Sequence, residues 1–144
     1  MHADFPLPDV NWEPTHEFWA GAARGELLIT RCEACGRFVW YPESPCRHCG
    51  GARLTWTQVS GHGTLFSWSV LHYAWIPQFK EQLTFVTGLV ALQEDPAVRV
   101  VSYIVDCPPE KLRCDMAVAV VFRPLRYPGV MAEVVAPMFA SAEK

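Results

Sequence analysis

Apolar and polar residues alternate through the second half of the chain, and this period of two is typical of strands with one buried face. Between turn signals it predicts strands at 54–59, 64–75, 85–92, 98–105, 116–122 and 132–136. Within 64–75, one face is expected to carry Leu65, Leu71, Tyr73 and Trp75, and the other Phe66, Trp68, Val70 and His72. Both faces are partly apolar, as in a strand that curves around a barrel.

A mainly β fold follows from this pattern. Five or six strands within residues 54–144 favour a small antiparallel barrel of the OB type. A β-sandwich is the competing architecture, but it usually has more strands than this segment provides. Gly61 and Gly63 are expected to place His62 in a turn between the first two strands.

The front of the chain has a different pattern. Residues 1–14 contain three prolines among apolar residues, which predicts an extended arm lying over the body or a partner. A short helix is expected at 15–24, with Thr15 as its N-cap and Gly25 as its stop. A strand at 27–31 then leads into four closely spaced cysteines. The predicted units are therefore 1–26 (arm and helix), 27–53 (cysteine ribbon) and 54–144 (barrel).

The four cysteines form two C-x-x-C pairs, each followed by glycine: Cys32, Cys35, Cys46 and Cys49. Two such turns joined by a hairpin can present four thiolates to one ion, and tetrahedral sulfur favours zinc, with iron as the alternative. A closed four-thiolate site has no open coordination position, so the predicted Zn²⁺ is structural. Disulfides are the competing interpretation, but paired C-x-x-C spacing points to metal in a reducing compartment, for which the cytoplasm is the default.

One histidine and two further cysteines could also be considered as metal ligands, but each has a simpler interpretation. His48 lies between two ligands and is expected to be a solvent-facing residue of the turn rather than a fifth ligand. Cys107 and Cys114 lack metal-ligand spacing, so they are expected to be small buried hydrophobic residues.

Composition narrows the function classes. Half of the 144 residues are hydrophobic and 19% are charged, which is typical of one globular domain or a short module joined to one. The net charge of −3 gives no general attraction to nucleic acid or anionic lipid. Aromatic residues make up 12% of the chain, enough to leave aromatic surface for a partner. No apolar stretch reaches membrane-spanning length and no leader is recognisable, so we expect an unexported protein without a membrane segment.

A catalytic constellation is not recognisable in the sequence. There is no glycine-rich phosphate loop, His-Glu-x-x-His pair or Gly-x-Ser-x-Gly elbow. His72 could be a ligand contact or a general base, although a histidine satisfied by its neighbours is the simpler interpretation. Phosphate groups could be contacted by Arg99, Arg123 and Arg126. Arginines on strands usually belong to a solvated face, which is the alternative for all three.

The order of features resembles a known family. The helix "HEFWAGAARGELLITRC" runs into "CEACGRFVWYPESPCRHCG", and a barrel opens with "WTQVSGHGTLFSWSVLHYAWIPQF". This is similar to the zinc-ribbon/OB-fold proteins of acyl-CoA metabolism, long catalogued as a domain of unknown function. The resemblance covers roughly residues 15–137, and it implies a rubredoxin-like zinc ribbon followed by an OB-fold barrel.

The resemblance also implies an accessory role. Members of this family pair with thiolase-like proteins in a steroid side-chain retro-aldolase, a thiolase–hydroxymethylglutaryl-CoA synthase assembly and a phloroglucinol acyltransferase. The reacting residues there belong to the thiolase-like chain, and the small subunit supports assembly and the acyl-CoA site. In this chain, the candidate contacts to CoA or substrate are His72, Lys80, Arg99, Arg123 and Arg126. The candidate contacts to the partner are Trp12, Phe18, Trp19, Trp75 and Phe79.

Two other functions compete with this hypothesis. A single-stranded nucleic-acid-binding module would use Phe66, Trp68 and Tyr73 to stack bases, because OB barrels and zinc ribbons do such work elsewhere. The acidic charge and the three lysines oppose it, since these binders present a basic groove. A free-standing enzyme using His72 is the third hypothesis.

Overall fold

The computed structural model describes residues 5–143 as a mainly β protein with a short helix, a small ribbon sheet and a closed five-stranded barrel. The predicted fold class is confirmed. The helix is α1 (His16–Ala23), and the ribbon strands are β1 (Leu27–Cys32), β2 (Phe38–Val39) and β3 (Leu54–Val59). The barrel strands are β4 (His62–Leu71), β5 (Phe85–Leu92), β6 (Arg99–Val105), β7 (Ala117–Leu125) and β8 (Val134–Ser141). Within residues 5–143, no helix is long and apolar enough to cross a membrane.

Helix α1 packs its apolar side onto the strands that follow it. Phe18 and Ala22, four residues apart on one face, are buried. The predicted stop is confirmed: Gly25 has φ 78° and donates its N–H to the carbonyl of Ala22, while Glu26 donates to Gly21. Thr15 occupies the N-cap position, as predicted, but its side chain makes no capping hydrogen bond. A 3₁₀ turn at Glu13–Thr15 leads into the helix.

The ribbon sheet has the order β2-β1-β3, and both pairs are antiparallel. Strand β3 follows the cysteines in the chain and pairs with β1 over its full length, from Leu27 opposite Val59 to Cys32 opposite Leu54. It is therefore hydrogen-bonded to the ribbon, although the sequence pattern groups it with the barrel strands. The division of the chain into units at residue 54 stays a prediction.

The barrel has the order β4-β5-β6-β8-β7 and closes through the pairing of β4 with β7. The last strand lies between β6 and β7, and its short pairing with β6 is the parallel one. This is the Greek-key arrangement of an OB fold. Its interior is filled by apolar side chains, among which Leu65, Val90 and Phe139 are fully buried.

A β-bulge changes the predicted facing of β4. The register with β5 shifts between Leu65 and Ser67, so Phe66 is the extra residue and the alternation breaks there. Leu65 pairs with Val90 and Trp68 with Gly88, so Leu65 and Trp68 share the inner face. The sequence pattern had placed them on opposite faces, and that assignment is wrong. Phe66 is 43% exposed as a result.

Several strand limits also differ from the prediction. β4 begins at His62, which was expected in a turn, and ends at Leu71, so Tyr73 and Trp75 lie beyond the strand. β8 was expected to end before Pro137 but continues to Ser141. At Pro137 the strand pairs with β7 alone, since its pairing with β6 begins at Phe139. Because proline has no backbone N–H to donate, it is tolerated in a strand where one side of the strand is unpaired.

The turn from the ribbon into the barrel yields a stability prediction. Gly61 has φ 81°, and a Cβ added there would lie 2.2 Å from Val120 Cγ1. Gly25 has nearly the same φ, but a Cβ there meets no atom within 4 Å. We expect Gly25→Ala to lower the free energy of unfolding by about 1–2 kcal/mol through backbone strain alone. Gly61→Ala should cost about 2–5 kcal/mol because overpacking is added. Urea unfolding followed by tryptophan fluorescence measures both; equal costs would contradict the close approach at Gly61.

Candidate metal centre and surrounding surfaces

Two turns of the same geometry carry the four cysteines. Gly36 donates its N–H to the carbonyl of Cys32 at 2.9 Å, and Gly50 donates to Cys46 at 2.8 Å. Both glycines have positive φ, 75° and 78°, which lets each turn fold back beneath its cysteines. The first turn starts where β1 ends, at Cys32, so the sheet fixes its position.

The four sulfur atoms form one cluster. All lie within 4.8 Å of one another, with Cys32 and Cys49 Sγ 3.6 Å apart and Cys35 and Cys46 Sγ 3.8 Å apart. A tetrahedral site with metal–sulfur bonds of about 2.3 Å has sulfur–sulfur separations of about 3.8 Å. A disulfide requires about 2.05 Å, and all four cysteines are free thiols. The cluster therefore has the dimensions of a single tetrahedral metal site.

The electrostatics of the cluster favour a bound cation. The backbone N–H of Cys35, together with that of Ala34, lowers the pKa of Cys32 to about 7. The Gly51 amide acts in the same direction on Cys49, but desolvation and hydrogen bonding among the sulfurs outweigh it and raise the pKa of Cys49 to about 12. Four neighbouring thiols cannot all ionise without a compensating positive charge. A metal ion supplies that charge and displaces the protons.

Gly51 is a site residue that the sequence pattern missed. Its N–H donates to Cys49 Sγ at 3.3 Å, and His48 N–H donates to Cys46 Sγ at 3.4 Å. A Cβ at Gly51 would lie 3.1 Å from the sulfur of Cys32. The sequence feature that could have indicated this role is the second glycine of the Gly50-Gly51 pair. Amide–sulfur contacts of this kind orient the ligands of a metal site.

The other cysteines lie outside the cluster. Cys107 is half-buried, and Cys114 is exposed. The expectation that both are buried is therefore wrong for Cys114, which lies between the short 3₁₀ turn at Pro109–Lys111 and β7 and is not covered there. The His48 side chain is exposed, as expected for a residue of the turn.

The proposed CoA contacts are spread over several elements. Arg123 forms a bidentate salt bridge with Asp106, which lowers the pKa of the Asp106 carboxyl group. Arg126 pairs with Glu133 at 2.9 Å. The guanidinium of Arg99 lies 3.8 Å from the centre of the Phe66 ring. His72 and Lys80 are exposed on the connection between β4 and β5.

The proposed partner contacts separate into exposed and internal residues. Trp75 is 87% exposed and Trp12 is 58% exposed. Phe18 is only 6% exposed because it lies on the inner face of α1, which removes it from the surface where we expected it. Trp19 is half-buried against the core, and Phe79 packs with other aromatic rings.

An aromatic cluster covers one end of the barrel's outer face. OB folds bind oligonucleotides there, on the second and third barrel strands between two loops. In this chain Phe79 and Tyr127 come from those loops, and the arm residue Phe5 packs on both, with ring centres 5.5 and 4.5 Å apart. Burial raises the pKa of Tyr127, whose hydroxyl lies 3.2 Å from that of Tyr103. Of the two places expected for the arm, the body or a partner, the structure has Phe5 and Leu7 packed on the body. Residues 1–4 lie outside the described residues.

A cavity of about 290 Å³ opens beside this cluster, where α1, the segment after β2 and the barrel meet. One wall consists of Phe18, Trp19, Trp40 and Tyr41. The opposite wall includes Val101 and Tyr103 of β6. The sequence did not indicate this cavity, because its walls come from three separate segments.

Comparison with known proteins identifies the family. Residues 19–55 match the family described as "ChsH2, rubredoxin-like zinc ribbon domain", and residues 56–123 match "ChsH2, C-terminal OB-fold domain". A solved structure titled "Ltp2-ChsH2(DUF35) aldolase" aligns with 95% of this chain and 100% of that chain, at a TM-score of 0.78 and 27% identity. A DUF35 protein of unknown function from Sulfolobus solfataricus has the same fold, with a TM-score of 0.60 and 11% identity over 92% of this chain and 88% of its own.

Relatives in sequence agree with this match. A "DUF35 domain-containing scaffold protein" of Methanocaldococcus jannaschii is 31% identical over 72% of this chain and 72% of its own length. The protein of that name in Methanothermobacter thermautotrophicus is 34% identical over 74% and 78%. A "Probable enoyl-CoA hydratase alpha subunit" of Thermomonospora curvata is 32% identical over 78% of this chain, which spans 34% of that longer protein. The chain belongs to the ChsH2/DUF35 family of rubredoxin-like zinc-ribbon and OB-fold proteins.

Proposed function

We propose that this chain is a non-catalytic subunit of an acyl-CoA enzyme complex, and that its partner is a thiolase-like protein. The observation that carries the proposal is the match to the structure titled "Ltp2-ChsH2(DUF35) aldolase", which extends over 95% of this chain. The name of that structure joins two components and calls them an aldolase, which supports carbon–carbon bond cleavage as the reaction of the complex. Two relatives are called scaffold proteins, which supports a role in assembly.

The arrangement of polar side chains supports a non-catalytic role. His72 is exposed, and no acid or base among residues 5–143 is hydrogen-bonded to it, so a free-standing enzyme built on His72 has little support. Arg123 and Arg126 already pair with carboxylates, whereas His72, Lys80 and Arg99 make no ion pair with a described residue. We propose these three as the residues available to contact CoA or a partner.

The nucleic-acid alternative is less well supported than the subunit role. Of the three rings expected to stack bases, Trp68 lies on the inner face of the barrel, whereas Phe66 and Tyr73 are exposed. The aromatic rings at the usual OB binding face pack on one another and on Phe5, which occupies part of that face. The net charge of −3 adds no attraction for a phosphate backbone.

We also propose that the four-cysteine cluster binds Zn²⁺. The sulfur separations of 3.6 and 3.8 Å suit a tetrahedral ion, and four thiolates with no open position suit a structural role. Cys32, Cys35, Cys46 and Cys49 would hold the ion, which supplies positive charge and a rigid crosslink. The cytoplasm, which keeps thiols reduced, is the proposed location.

The zinc proposal predicts the behaviour of a ligand variant. Cys46→Ser should reduce zinc from one ion per chain to a small fraction. It should also destabilise the ribbon, since structural zinc contributes on the order of 10 kcal/mol of binding free energy in small zinc domains. Metal analysis by mass spectrometry and urea unfolding measure the two effects. Cys114→Ser, an exposed cysteine outside the cluster, is the matched control and should retain both zinc and stability. Full zinc content in Cys46→Ser would contradict the site.

The subunit proposal predicts a stable complex. When this chain is co-expressed with a thiolase-like protein of the same organism, the two should elute together from a gel-filtration column at micromolar concentration. The isolated chain should show no turnover of acyl-CoA substrates, whereas the complex should be active. Two separate peaks, or equal activity from this chain alone, would contradict the proposal.

A further inference from the structure

An apolar strip runs along the outer face of the barrel next to the cavity. Val101 on β6 is 58% exposed and lies directly opposite the half-buried Leu89 on β5, so both point outward. The bulge in β4 turns Phe66 outward as well, where the Arg99 guanidinium stacks on its ring. Exposed apolar side chains grouped on one face can mark a surface that contacts another protein.

The cavity of about 290 Å³ forms one end of this strip, because Val101 lines both. Tyr41, which is 54% exposed, stands at the rim of the cavity on the opposite side. The walls of the cavity are aromatic and aliphatic, with hydroxyl groups from threonine, serine and tyrosine side chains. None of the described residues that line the cavity is charged. Preformed apolar holes flanked by exposed apolar side chains are where binding energy concentrates in protein interfaces.

The chemistry of the strip and the cavity indicates what kind of group would bind there. A charged group in the cavity would lose its hydration without gaining a partner, so a large apolar side chain is the better fit. Arg99 is the charged residue beside Phe66 and makes no ion pair with a residue of 5–143, so it can bind one carboxylate at the edge of the strip. One cation is too few to hold a nucleic-acid backbone, whereas it suits the polar rim of a protein interface.

We infer that the groove formed by Tyr41, Phe66, Leu89, Arg99 and Val101, with its cavity, is the docking surface for the partner subunit. The partner inserts an apolar side chain between Tyr41 and Val101 and places an acidic side chain against Arg99. This inference rests on the proposed function. The sequence-based expectation named Trp12, Phe18, Trp19, Trp75 and Phe79. Of these, Phe18 and Trp19 line the cavity, whereas the other three do not.

The test uses the co-expressed thiolase-like protein as the partner and measures the dissociation constant by surface plasmon resonance. Val101→Glu puts a carboxylate at the cavity mouth and should weaken binding by roughly tenfold or more, as expected for a residue at an interface centre. Arg99→Glu should weaken binding severalfold, with a larger loss at low salt. Met131→Glu is the matched control: Met131 is 82% exposed but lies outside the groove, so the affinity should stay within about twofold. Zinc content and the urea midpoint of each variant report whether it is folded.

The outcomes separate the two proposals. If the wild-type chain forms no complex, the proposed function fails, and the docking surface fails with it. If the wild-type complex forms and the groove variants bind as tightly as Met131→Glu, only the docking surface is overturned. It is likewise overturned if the groove variants abolish self-association of this chain without affecting the partner, or change acyl-CoA binding without affecting assembly.

Discussion

The crowding of four sulfur atoms within 4.8 Å is the constraint on which the front of this protein depends. The thiols raise or lower one another's pKa, and as a set they can ionise only around a cation. Cys32 and Cys46 are buried with Val39 of β2, so the cluster forms the core at this end of the ribbon. The other end, with Ile29 and Phe38, joins the main core of the barrel. The residues immediately after Val39 are Trp40 and Tyr41, which form a wall of the cavity. The sulfur cluster thereby positions a surface that it does not itself touch.

The ribbon and the barrel meet through close contacts rather than through a flexible linker. β3 completes the ribbon sheet, and Gly61 turns the chain directly into β4 while approaching Val120 of β7. Helix α1 fills the angle between the two, with Phe18 packed on Trp19 and Trp40 at ring-centre distances of 5.0 and 4.8 Å. The groove exists because helix α1, the ribbon and the barrel leave a gap over the outer face of β5 and β6. A subunit without a recognisable set of catalytic side chains can still contribute to an enzyme complex, because a groove of this kind can bind another subunit.

Local chemistry made part of this structure predictable. The spacing of the cysteines, the stop at Gly25 and the strands at 54–59 and 85–92 follow from neighbouring residues, and the structure has them where they were predicted. The bulge at Phe66 escaped prediction because it depends on the register with β5. The extension of β8 past Pro137 is possible because the pairing of β8 with β6 begins only at Phe139. The pattern of residues within β8 does not indicate where that pairing begins. The cavity and the Phe5 contacts likewise arise between segments distant in sequence, so no local pattern reports them.

The central claim is that the metal-held ribbon positions the surface used for assembly, and the metal dependence of partner binding tests it most directly. The dissociation constant for the co-expressed thiolase-like protein would be measured for the wild-type chain as purified, after zinc is removed with a chelator, and after zinc is restored. The account predicts that binding weakens by at least roughly tenfold on removal, because the Trp40–Tyr41 wall loses its support, and recovers on restoration. A zinc-free chain that binds its partner with unchanged affinity would contradict it.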